Sequence, residues 1–391
     1  MRALLLGPQV DPVRFFTSEQ IERARAYHRP LYVSSAASSA VGAGYLAALA
    51  FSPAGRWMAV PVDDLPKWAF AASYAALILV TAAVLRFPPS FWRGFVHEHR
   101  WGFSTQALPA FLWDWAKGVA VSVALTGAVM LGFVELASAL PDAWPAVAGA
   151  CAAALVVVLS FLAPVVLEPL FNRFRPLADV ELAADLRALS VRAGVPVRDV
   201  LVADASRRTR KENAYVSGLG RTRRVVVFDT LLQRAGPRDV RLVVAHELGH
   251  RRAHHVALGT ALGAGLATIA VGLLGEVFRW HALLGAIGAR GAGDPRAIPF
   301  VLLAAAVFEL YVLPAGAAIS RNWEAAADRA SIELTGDPGG FAEMERSLAV
   351  ANLLDLAPSR LVYLLLFSHP TPPERIEAAL AGRKDARPPV S

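Results

Sequence analysis

The sequence of 391 residues contains little cysteine and little charge. Its single cysteine, Cys151, lies in an apolar run, so no intrachain disulfide can form and the residue is interpreted as a small buried hydrophobe. Charged residues make up 18% of the chain, against about 25% in ordinary globular domains, whereas hydrophobic residues make up 55%. The N-terminal MRALLLGPQVDP has too short an apolar core for a signal peptide, so insertion would depend on internal segments. This composition indicates a polytopic membrane protein.

Six apolar segments are long enough to cross a hydrocarbon core of about 30 Å, for which a helix needs roughly 20 residues. They are residues 31–51, 68–86, 117–140, 145–167, 256–278 and 298–320. The third, fifth and sixth contain Glu135, Glu276 and Glu309. Each of these carboxylates is expected to face the bundle interior or a water-filled cavity, because exposure to lipid is costly.

The basic residues indicate how the chain is oriented in the membrane. Arginines are frequent in the N-terminal stretch, in residues 86–100 and above all in the polar segment 168–252, whereas residues 141–144 contain none. The positive-inside rule therefore places both termini and the segment 168–252 in the cytoplasm, with six crossings of the plasma membrane. The formal charge of +7 comes without the interleaved aromatic residues that stack bases, so a lipid bilayer and no nucleic acid is the expected partner.

The polar stretches divide the chain into parts. These are an N-terminal cytoplasmic amphipathic segment (1–30), four membrane helices (31–167), a first soluble part (168–255), two further membrane helices (256–320) and a second soluble part (321–391). In the first soluble part, ELAADLRALSVRAG predicts an amphipathic helix, RRVVVFDT (223–230) predicts a strand, and Pro237 predicts the start of another helix. The tail after about Arg383 is predicted to be disordered.

The residues suited to chemistry are concentrated in HELGH, residues 246–250. On a helix, His246 and His250 project from one face, where both imidazoles can bind one ion. Zinc with these two nitrogen ligands needs a third protein ligand and an open position, and Glu247 could take a proton from water that the metal has acidified. Surface or core histidines are the alternative interpretation, because a five-residue pattern of this kind also arises by chance.

A third ligand is offered by NWEAAADRA, which follows the sixth apolar segment. Glu324 would complete a site of two histidines and one glutamate. Asp328, one turn later, could accept a hydrogen bond from the other nitrogen of a histidine ligand and hold its orientation. A solvated acidic face at the start of a helix is the alternative interpretation.

Two more histidines follow HELGH. His254 lies one turn beyond His250 on the same face, but three successive turns span about 12 Å, too far for all three histidines to bind one ion. We therefore assign His254 and His255 to the membrane interface, and Arg251 and Arg252 to the lipid headgroup level. The helix that carries the metal is expected to continue into the fifth apolar segment.

At these residues the sequence resembles the integral-membrane zinc metalloproteases of the type I CaaX prenyl endopeptidase class. The similar blocks are SEQIERARAY (18–27), HRWGFSTQ (99–106), EPLFNRF (168–174), KENAYVSGLGRTRRVVVFDTLL (211–232), HELGH (246–250), EAAAD (324–328) and SHPTPPERI (368–376). They reach across most of the chain, and the combination is far more specific than HELGH alone.

The resemblance implies an all-α membrane barrel of about six helices around a large water-filled chamber. A small α+β zinc-protease portion of the gluzincin type would lie at the cytoplasmic end of the barrel. One Zn²⁺ per chain would be bound by His246, His250 and Glu324, with Glu247 as the general base. The carboxylates within the spans would then face water in the chamber.

The resemblance also implies roles for residues that their spacing does not single out. His369 would lie near the metal and help stabilise the oxyanion of the tetrahedral intermediate. Asn213, Ala214 and Tyr215 would bind the substrate backbone by adding the peptide as an extended strand. Arg375 would orient the acidic groups around the site.

The sequence departs from the resemblance at its N-terminus. The eukaryotic members begin with an additional hydrophobic span, whereas this chain goes directly into SEQIERARAY. Six spans in place of seven put the N-terminus on the cytoplasmic side. They also leave open whether the barrel wall has a gap or another segment fills it.

The expected function is that of a membrane-embedded zinc endopeptidase. Its substrates would be peptides or proteins with farnesylated or geranylgeranylated CaaX C-termini, cut just after the modified cysteine, or other membrane-associated peptides. Quality control of membrane proteins is the alternative within this reaction class. A metal-gated transporter or channel is the alternative from another class, weakened because the spans show no inverted pair of broken helices.

Overall fold

The membrane-spanning part consists of long apolar helices. The computed structural model describes residues 8–218 and 220–381, and the tail predicted to be disordered lies outside these residues. Within them, six helices are long and apolar enough to cross a membrane, namely Ser18–Phe51, Lys67–Leu85, Leu108–Ala139, Trp144–Phe171, His255–Val277 and Pro295–Thr335. None of the residues in the most apolar stretch of the fourth and fifth is buried within the chain. Apolar surface of this extent requires lipid, so the predicted multi-pass architecture is confirmed.

The chain order of the elements places the sheet between the fourth and fifth membrane helices. The helices are α1 (Ser18–Phe51), α2 (Pro53–Ala59), α3 (Lys67–Leu85), α4 (Phe87–Phe91), α5 (Glu98–Arg100), α6 (Leu108–Ala139), α7 (Trp144–Leu162), α8 (Glu168–Phe171), α9 (Val180–Arg192), α10 (Asp229–Arg234), α11 (Pro237–Arg252), α12 (His255–Val277), α13 (His281–Ile287), α14 (Ile298–Thr335), α15 (Pro338–Ala351), α16 (Arg360–Leu366) and α17 (Pro372–Ala381). The strands are β1 (Phe174–Pro176), β2 (Asp199–Ala203), β3 (Ala214–Ser217) and β4 (Arg224–Phe228).

Helices α1 and α14 extend well beyond the apolar segments predicted for them. α1 begins at a capping box, in which the side chains of Thr17 and Gln20 each accept a hydrogen bond from the other's backbone N–H. α14 continues from the membrane into the soluble part and ends at Gly336, whose φ of +68° suits glycine. One continuous helix therefore joins the sixth span to the residues that follow it.

Small residues let the membrane helices approach closely. α7 packs against α12, and a Cβ added at Gly149 would lie 3.3 Å from Cγ2 of Thr268. At the far end of the same pair, a Cβ at Gly275 would lie 2.9 Å from the ring of Pro145. Backbone approach of this kind is the usual way in which helices associate in lipid.

The soluble part contains a four-stranded sheet in the order β1-β2-β4-β3. β2 and β4 are parallel, whereas β1 and β3 are antiparallel to their neighbours, which leaves β3 at one edge. α9 and α11 pack on this sheet around a core that includes Leu186, Val225 and Leu248. The helix, strand and helix start predicted here are observed as α9, β4 and α11. The predicted fold class, a helical membrane protein with a small α+β soluble portion, is confirmed.

The prediction that the metal-bearing helix continues into the fifth span is wrong. α11 ends at Arg252, and α12 begins at His255. His254 between them has a φ of 56°, in the left-handed region, which ends the first helix and starts the second in a new direction. No glycine or proline signals this break in the sequence.

A further core joins the N-terminal segment to the C-terminal helices. Phe16 and Ile21 pack with Phe341 of α15 and Ile376 of α17, and all four side chains are buried. This core holds α17, which carries Arg375, against α14.

Candidate metal centre

Two helices bring three potential metal ligands together. α11 presents His246 and His250 on one face, and α14 packs against that helix with Glu324. Nε2 of His246 lies 3.2 Å from Nε2 of His250 and 3.2 Å from Oε2 of Glu324. Nε2 of His250 lies 3.3 Å from Oε1 of Glu324. Among the described residues, this trio is the one group of His, Cys, Asp or Glu side chains close enough together to hold a metal ion.

Gly249 permits the close approach of α14 to α11. A Cβ added at this position would lie 2.9 Å from Cβ of Ala330 and 3.1 Å from the backbone of Ala327. The glycine of HELGH therefore has a packing role that the search for ligands in the sequence did not identify.

The trio fits zinc in both distance and chemistry. Tetrahedral zinc binds nitrogen and oxygen at about 2.0–2.1 Å, which separates neighbouring ligand atoms by about 3.3 Å. The two histidine nitrogens lie 3.2 Å apart, and each lies 3.2 or 3.3 Å from one of the two carboxylate oxygens of Glu324, which is close to that separation. Two imidazole nitrogens and one carboxylate form a donor set typical of catalytic zinc.

The other nitrogen of His246 contacts a buried charge network. Nδ1 of His246 lies 2.8 Å from Oδ1 of Asp328. Arg375 donates two hydrogen bonds to the same carboxylate, from Nε at 2.9 Å and from Nη2 at 2.6 Å. Its Nη1 lies 2.7 Å from Oε2 of Glu345, a buried residue of α15. The network is consistent with the roles predicted for Asp328 and Arg375, and it includes Glu345, which the sequence analysis missed.

The electrostatics of this region also favour a cation. The carboxylates of Asp328 and Glu345 contact one guanidinium, that of Arg375, and the carboxylate of Glu324 lies beside His246. Burial raises the pKa of Glu345, and it would lower the pKa of Arg375, which nevertheless rises because Asp328 and Glu345 attract its charge. The pKa of His246 reaches about 10, because hydrogen bonds with Asp328 and Glu324 outweigh the effect of burial. A divalent cation at the trio would offset the surplus negative charge.

His250 is held by a different kind of partner. Its Nδ1 lies 2.9 Å from Nδ1 of His255, whose ring stacks on Trp323 with centroids 5.1 Å apart and an interplanar angle of 10°. His255 is buried, so its assignment to the membrane interface is wrong, whereas His254 is exposed as expected. The break at His254 explains the error, because it turns His255 back towards the face that carries His250.

Glu247 lies on α11 beside His246 and is half-buried. Burial raises the pKa of its carboxyl above the ordinary value, although the neighbouring charges of His246 and His250 oppose the rise. A more basic carboxylate is better suited to accept a proton from water.

His369 lies on the open side of the trio. Its Nε2 is 3.3 Å from Oε1 of Glu324, and its Nδ1 is 2.8 Å from Oγ of Ser368. The side chain is 57% exposed, in contrast to the ligand candidates, so a substrate could reach it. The structure therefore brings His369 to the site, although the residue lies far along the chain from HELGH.

Residues 213–215 lie on the edge of the sheet, beside α11. The backbone N–H of Phe228 donates to the carbonyl of Asn213 at 3.0 Å. Because antiparallel ladders alternate, the N–H and C=O groups of Glu212, Ala214 and Val216 point away from β4, towards the free edge.

Two side chains occupy part of this edge. Asn352 accepts a hydrogen bond from the N–H of Glu212 at 2.9 Å and donates to its carbonyl at 3.0 Å. Arg251 donates to the carbonyl of Val216, so its side chain is directed to the edge of the sheet. Between these two contacts lies Ala214, whose N–H and C=O face away from β4 and which is buried within the chain.

Glu168 anchors the edge strand to the end of the fourth span. It accepts hydrogen bonds from Ser217 at 2.9 Å, from Arg224 at 3.1 Å and from Tyr215 at 3.4 Å. The hydroxyl of Tyr215 is thus directed to the strand's anchor.

Comparison with family models matches both halves of the chain. Residues 176–382 match the model described as peptidase family M48. Residues 11–173 match the model described as the N-terminal part of CAAX prenyl proteases, with five membrane helices.

Known proteins with similar sequences include metalloproteases. The chain is 29% identical over 305 residues to the uncharacterized metalloprotease YhfN of Bacillus subtilis, covering 78% of this chain and 71% of that protein. It is 28% identical to CAAX prenyl protease 1 of Saccharomyces cerevisiae and 31% identical to the homologue from Arabidopsis thaliana, each over 47% of this chain and 41% or 43% of the relative. The chain thus spans less than half the length of these two relatives.

A solved structure has the same fold. The crystal structure of Ste24p from S. mikatae superposes with a TM-score of 0.83 at 24% identity. The superposition covers 95% of this chain and 91% of that chain, so both the membrane and the soluble parts are shared.

Proposed function

The chain belongs to peptidase family M48, and we propose that this membrane metalloprotease is a zinc-dependent endopeptidase acting on peptides held at the membrane surface. The proposal rests above all on the side chains of His246, His250 and Glu324, whose Nε2 atoms and carboxylate oxygens lie 3.2–3.3 Å apart at the junction of α11 and α14. The family matches offer no support for the alternative of a transporter or channel.

We assign His246, His250 and Glu324 as the ligands of one Zn²⁺ per chain. Zinc supplies Lewis acidity at such a site, because it acidifies water and polarises a substrate carbonyl. Asp328 and Arg375 are assigned as the groups that hold His246 in place, since the carboxylate of Asp328 lies between them.

Two further side chains would transfer the proton of the attacking water and stabilise the negative charge that develops on the substrate carbonyl. Glu247 is the general base, which takes a proton from the attacking water and passes it to the leaving amine. Its raised pKa supports that assignment. His369 donates a hydrogen bond to the oxyanion that develops on the substrate carbonyl, as its exposed position beside Glu324 allows.

The substrate would bind as an additional strand along β3. The outward N–H and C=O of Ala214 would pair with one residue of the peptide, while Asn213 and Tyr215 maintain the strand on either side. β3 contacts α11, so a peptide added at this edge would run beside the zinc ligands.

The substrate class follows from the relatives and from the position of the site. Relatives named CAAX prenyl proteases support prenylated C-terminal peptides as the first candidates. The direct connection of the site to two membrane helices equally suits unprenylated peptides of membrane proteins, which a quality-control protease would cleave.

We place both termini and the zinc site on the cytoplasmic side of the plasma membrane. The arginine-rich segment 168–252 supports that orientation. The division into residues 1–30, 31–167, 168–255, 256–320 and 321–391 is retained as a functional division, although α1 and α14 each run across one of its boundaries.

Product identification by mass spectrometry tests this proposal. Purified protein in lipid nanodiscs would be given peptides of identical sequence with a farnesylated, a geranylgeranylated or an unmodified cysteine. We expect cleavage just after the prenylated cysteine, and no product with the Glu247→Gln variant. Equal cleavage of the unmodified peptide would reassign the substrate to membrane-borne peptides in general. Failure of the zinc-loaded wild type to cleave any of them would contradict the endopeptidase proposal.

A further inference from the structure

His369 lies on a loop between α16 and α17, and it is 57% exposed. Exposed loops are normally the more mobile parts of a protein. The distance of 3.3 Å between His369 and Glu324 therefore needs a physical cause outside the side chain itself.

A buried arginine contacts one end of the loop. Arg321 lies on α14, three residues before Glu324, and is 2% exposed. Its Nη1 donates to the carbonyls of Tyr363 at 3.0 Å and of Phe367 at 2.7 Å. Phe367 is the C-cap of α16, so its carbonyl lies beyond the helical hydrogen bonds, whereas the carbonyl of Tyr363 also accepts from the N–H of Phe367 at 3.4 Å. The guanidinium also lies 4.6 Å from the centre of the Tyr363 ring.

The other end of the loop is fixed by the side chain of Glu374, in the first turn of α17. Glu374 accepts hydrogen bonds from the backbone N–H of Thr371 at 2.7 Å and from its hydroxyl at 2.9 Å. The hydroxyl of Tyr363 donates to the same carboxylate at 3.0 Å. Tyr363 thus contacts both Arg321 and Glu374, and these contacts close a ring around residues 367–371.

We propose that Arg321 is a positioning residue, which ties the loop of His369 to the helix that carries Glu324. The inference rests on the proposed role of His369 at the oxyanion. Both carbonyls are bound by Nη1, whose two N–H groups are fixed in the plane of the guanidinium, whereas the lysine ammonium rotates on a flexible stem, so the substitution Arg321→Lys is not conservative here. Loss of the tie leaves the ligands of α11 and α14 in place and lets His369 move.

A double-mutant cycle in kcat tests this inference. His369→Ala is expected to lower kcat by about 10²-fold, as the loss of one oxyanion donor does. Arg321→Lys is expected to lower kcat by roughly 10- to 10²-fold, because a displacement of about 1 Å is costly to catalysis. The metal content should remain that of the wild type, and KM should change by less than about twofold. In the His369→Ala background, Arg321→Lys should then have almost no further effect.

Two controls separate positioning from a general structural role. Arg329→Lys changes an exposed arginine of the same helix and should leave kcat unchanged. Tyr363→Phe removes the hydroxyl bond to Glu374 but keeps the ring beneath Arg321, and it should also lose its effect when His369 is alanine. This second variant tests the ring of contacts even if Arg321→Lys fails to fold.

Hydrogen exchange gives a readout that does not depend on activity. Arg321→Lys should speed exchange in residues 363–371 and leave residues 246–250 as protected as in the wild type. The inference is overturned if a folded Arg321→Lys variant keeps the wild-type kcat, or if its effect is undiminished in the His369→Ala background. Either result would leave the zinc endopeptidase proposal intact, since that proposal depends on the Glu247→Gln variant losing activity.

Discussion

The two histidines that face the candidate zinc position are held by different partners. Nδ1 of His246 meets the charged carboxylate of Asp328, whereas Nδ1 of His250 meets the imidazole of His255. When His250 binds metal through Nε2, its Nδ1 carries a proton, and His255 accepts that hydrogen bond. A carboxylate makes a histidine ligand more basic than a neutral acceptor does, so the two ligands are expected to differ in strength.

Glu324→Ala should lose zinc together with activity. The variant keeps two nitrogen ligands but lacks the carboxylate that lies 3.2 Å from one and 3.3 Å from the other. The measurement is zinc per chain by plasma mass spectrometry after dialysis, with Glu333→Ala, at an exposed position of the same helix, as the matched control. Full zinc occupancy in Glu324→Ala would remove this residue from the ligand set.

His255→Ala should weaken zinc binding without abolishing it. Loss of a hydrogen-bond partner behind a ligand typically lowers metal affinity by about 10- to 100-fold. Competition with a chromophoric chelator measures the affinity directly. His254→Ala, at the adjacent exposed position, should bind zinc as the wild type does. Equal affinities in the two variants would contradict the role given to His255.

Local patterns could predict only part of this site. Helical spacing alone indicated His246, Glu247 and His250 as site residues, because side chains within one helical turn lie close together without any tertiary contact. His255 was misassigned because its position depends on the left-handed backbone of the residue before it. Glu345 was missed because neither glutamate of FAEMERSLAV shows a partner in the sequence, and Arg375 reaches Glu345 only in the folded chain.

At the scale of single elements, neighbouring side chains cover most of the edge strand β3, and Ala214, Val216 and Ser217 are buried. Asn352 covers the edge at Glu212, and Arg251 covers the carbonyl of Val216, as natural sheets commonly protect an edge from unwanted pairing. The backbone of Ala214 between them is where a substrate strand is expected to pair.

N-methylation of the substrate backbone should therefore raise KM at alternate residues of the peptide. In an antiparallel pair, alternate residues direct their N–H groups to the partner strand, so N-methylation should raise KM strongly at one position and weakly at the next. A series of peptides, each methylated at one nitrogen, measures this through KM. Uniform sensitivity along the peptide would contradict strand addition at β3.

The ends of the elements were the least predictable part of the fold. Hydropathy located all six membrane helices, but α1 and α14 extend into polar sequence because helices end at caps and breaks, not where polarity changes. Gly336 marks the true end of α14, whereas His254 ends α11 with no residue signal of the usual kind.

At the scale of the whole molecule, the candidate metal site is directly connected to two of the membrane helices. Two residues separate the end of α11 from the start of α12, which is the fifth span. α14 contains both the sixth span and Glu324. The candidate catalytic residues are therefore held by elements that the bilayer itself orients. This arrangement explains why apolar helices and a cluster of histidines and carboxylates lie so close in the sequence.

Sequence alone could predict the class of the molecule but not its assembly. Composition and hydropathy indicated a membrane protein, because the energetic demand of lipid is met segment by segment. The packing of α14 on α11 depends on long-range contacts such as that at Gly249, which no local pattern contains. Before the structure was described, only the resemblance to a family indicated that His369 and Arg375 belong to the site.

The most direct test of the account compares the wild type with Glu247→Gln in the same preparation of peptide and lipid. Zinc per chain and the rate of peptide hydrolysis would be measured for both proteins. We expect one zinc per chain in each, with hydrolysis slower by about 10²- to 10⁴-fold in Glu247→Gln, because the general base is lost. Hydrolysis at the wild-type rate by zinc-loaded Glu247→Gln would contradict it.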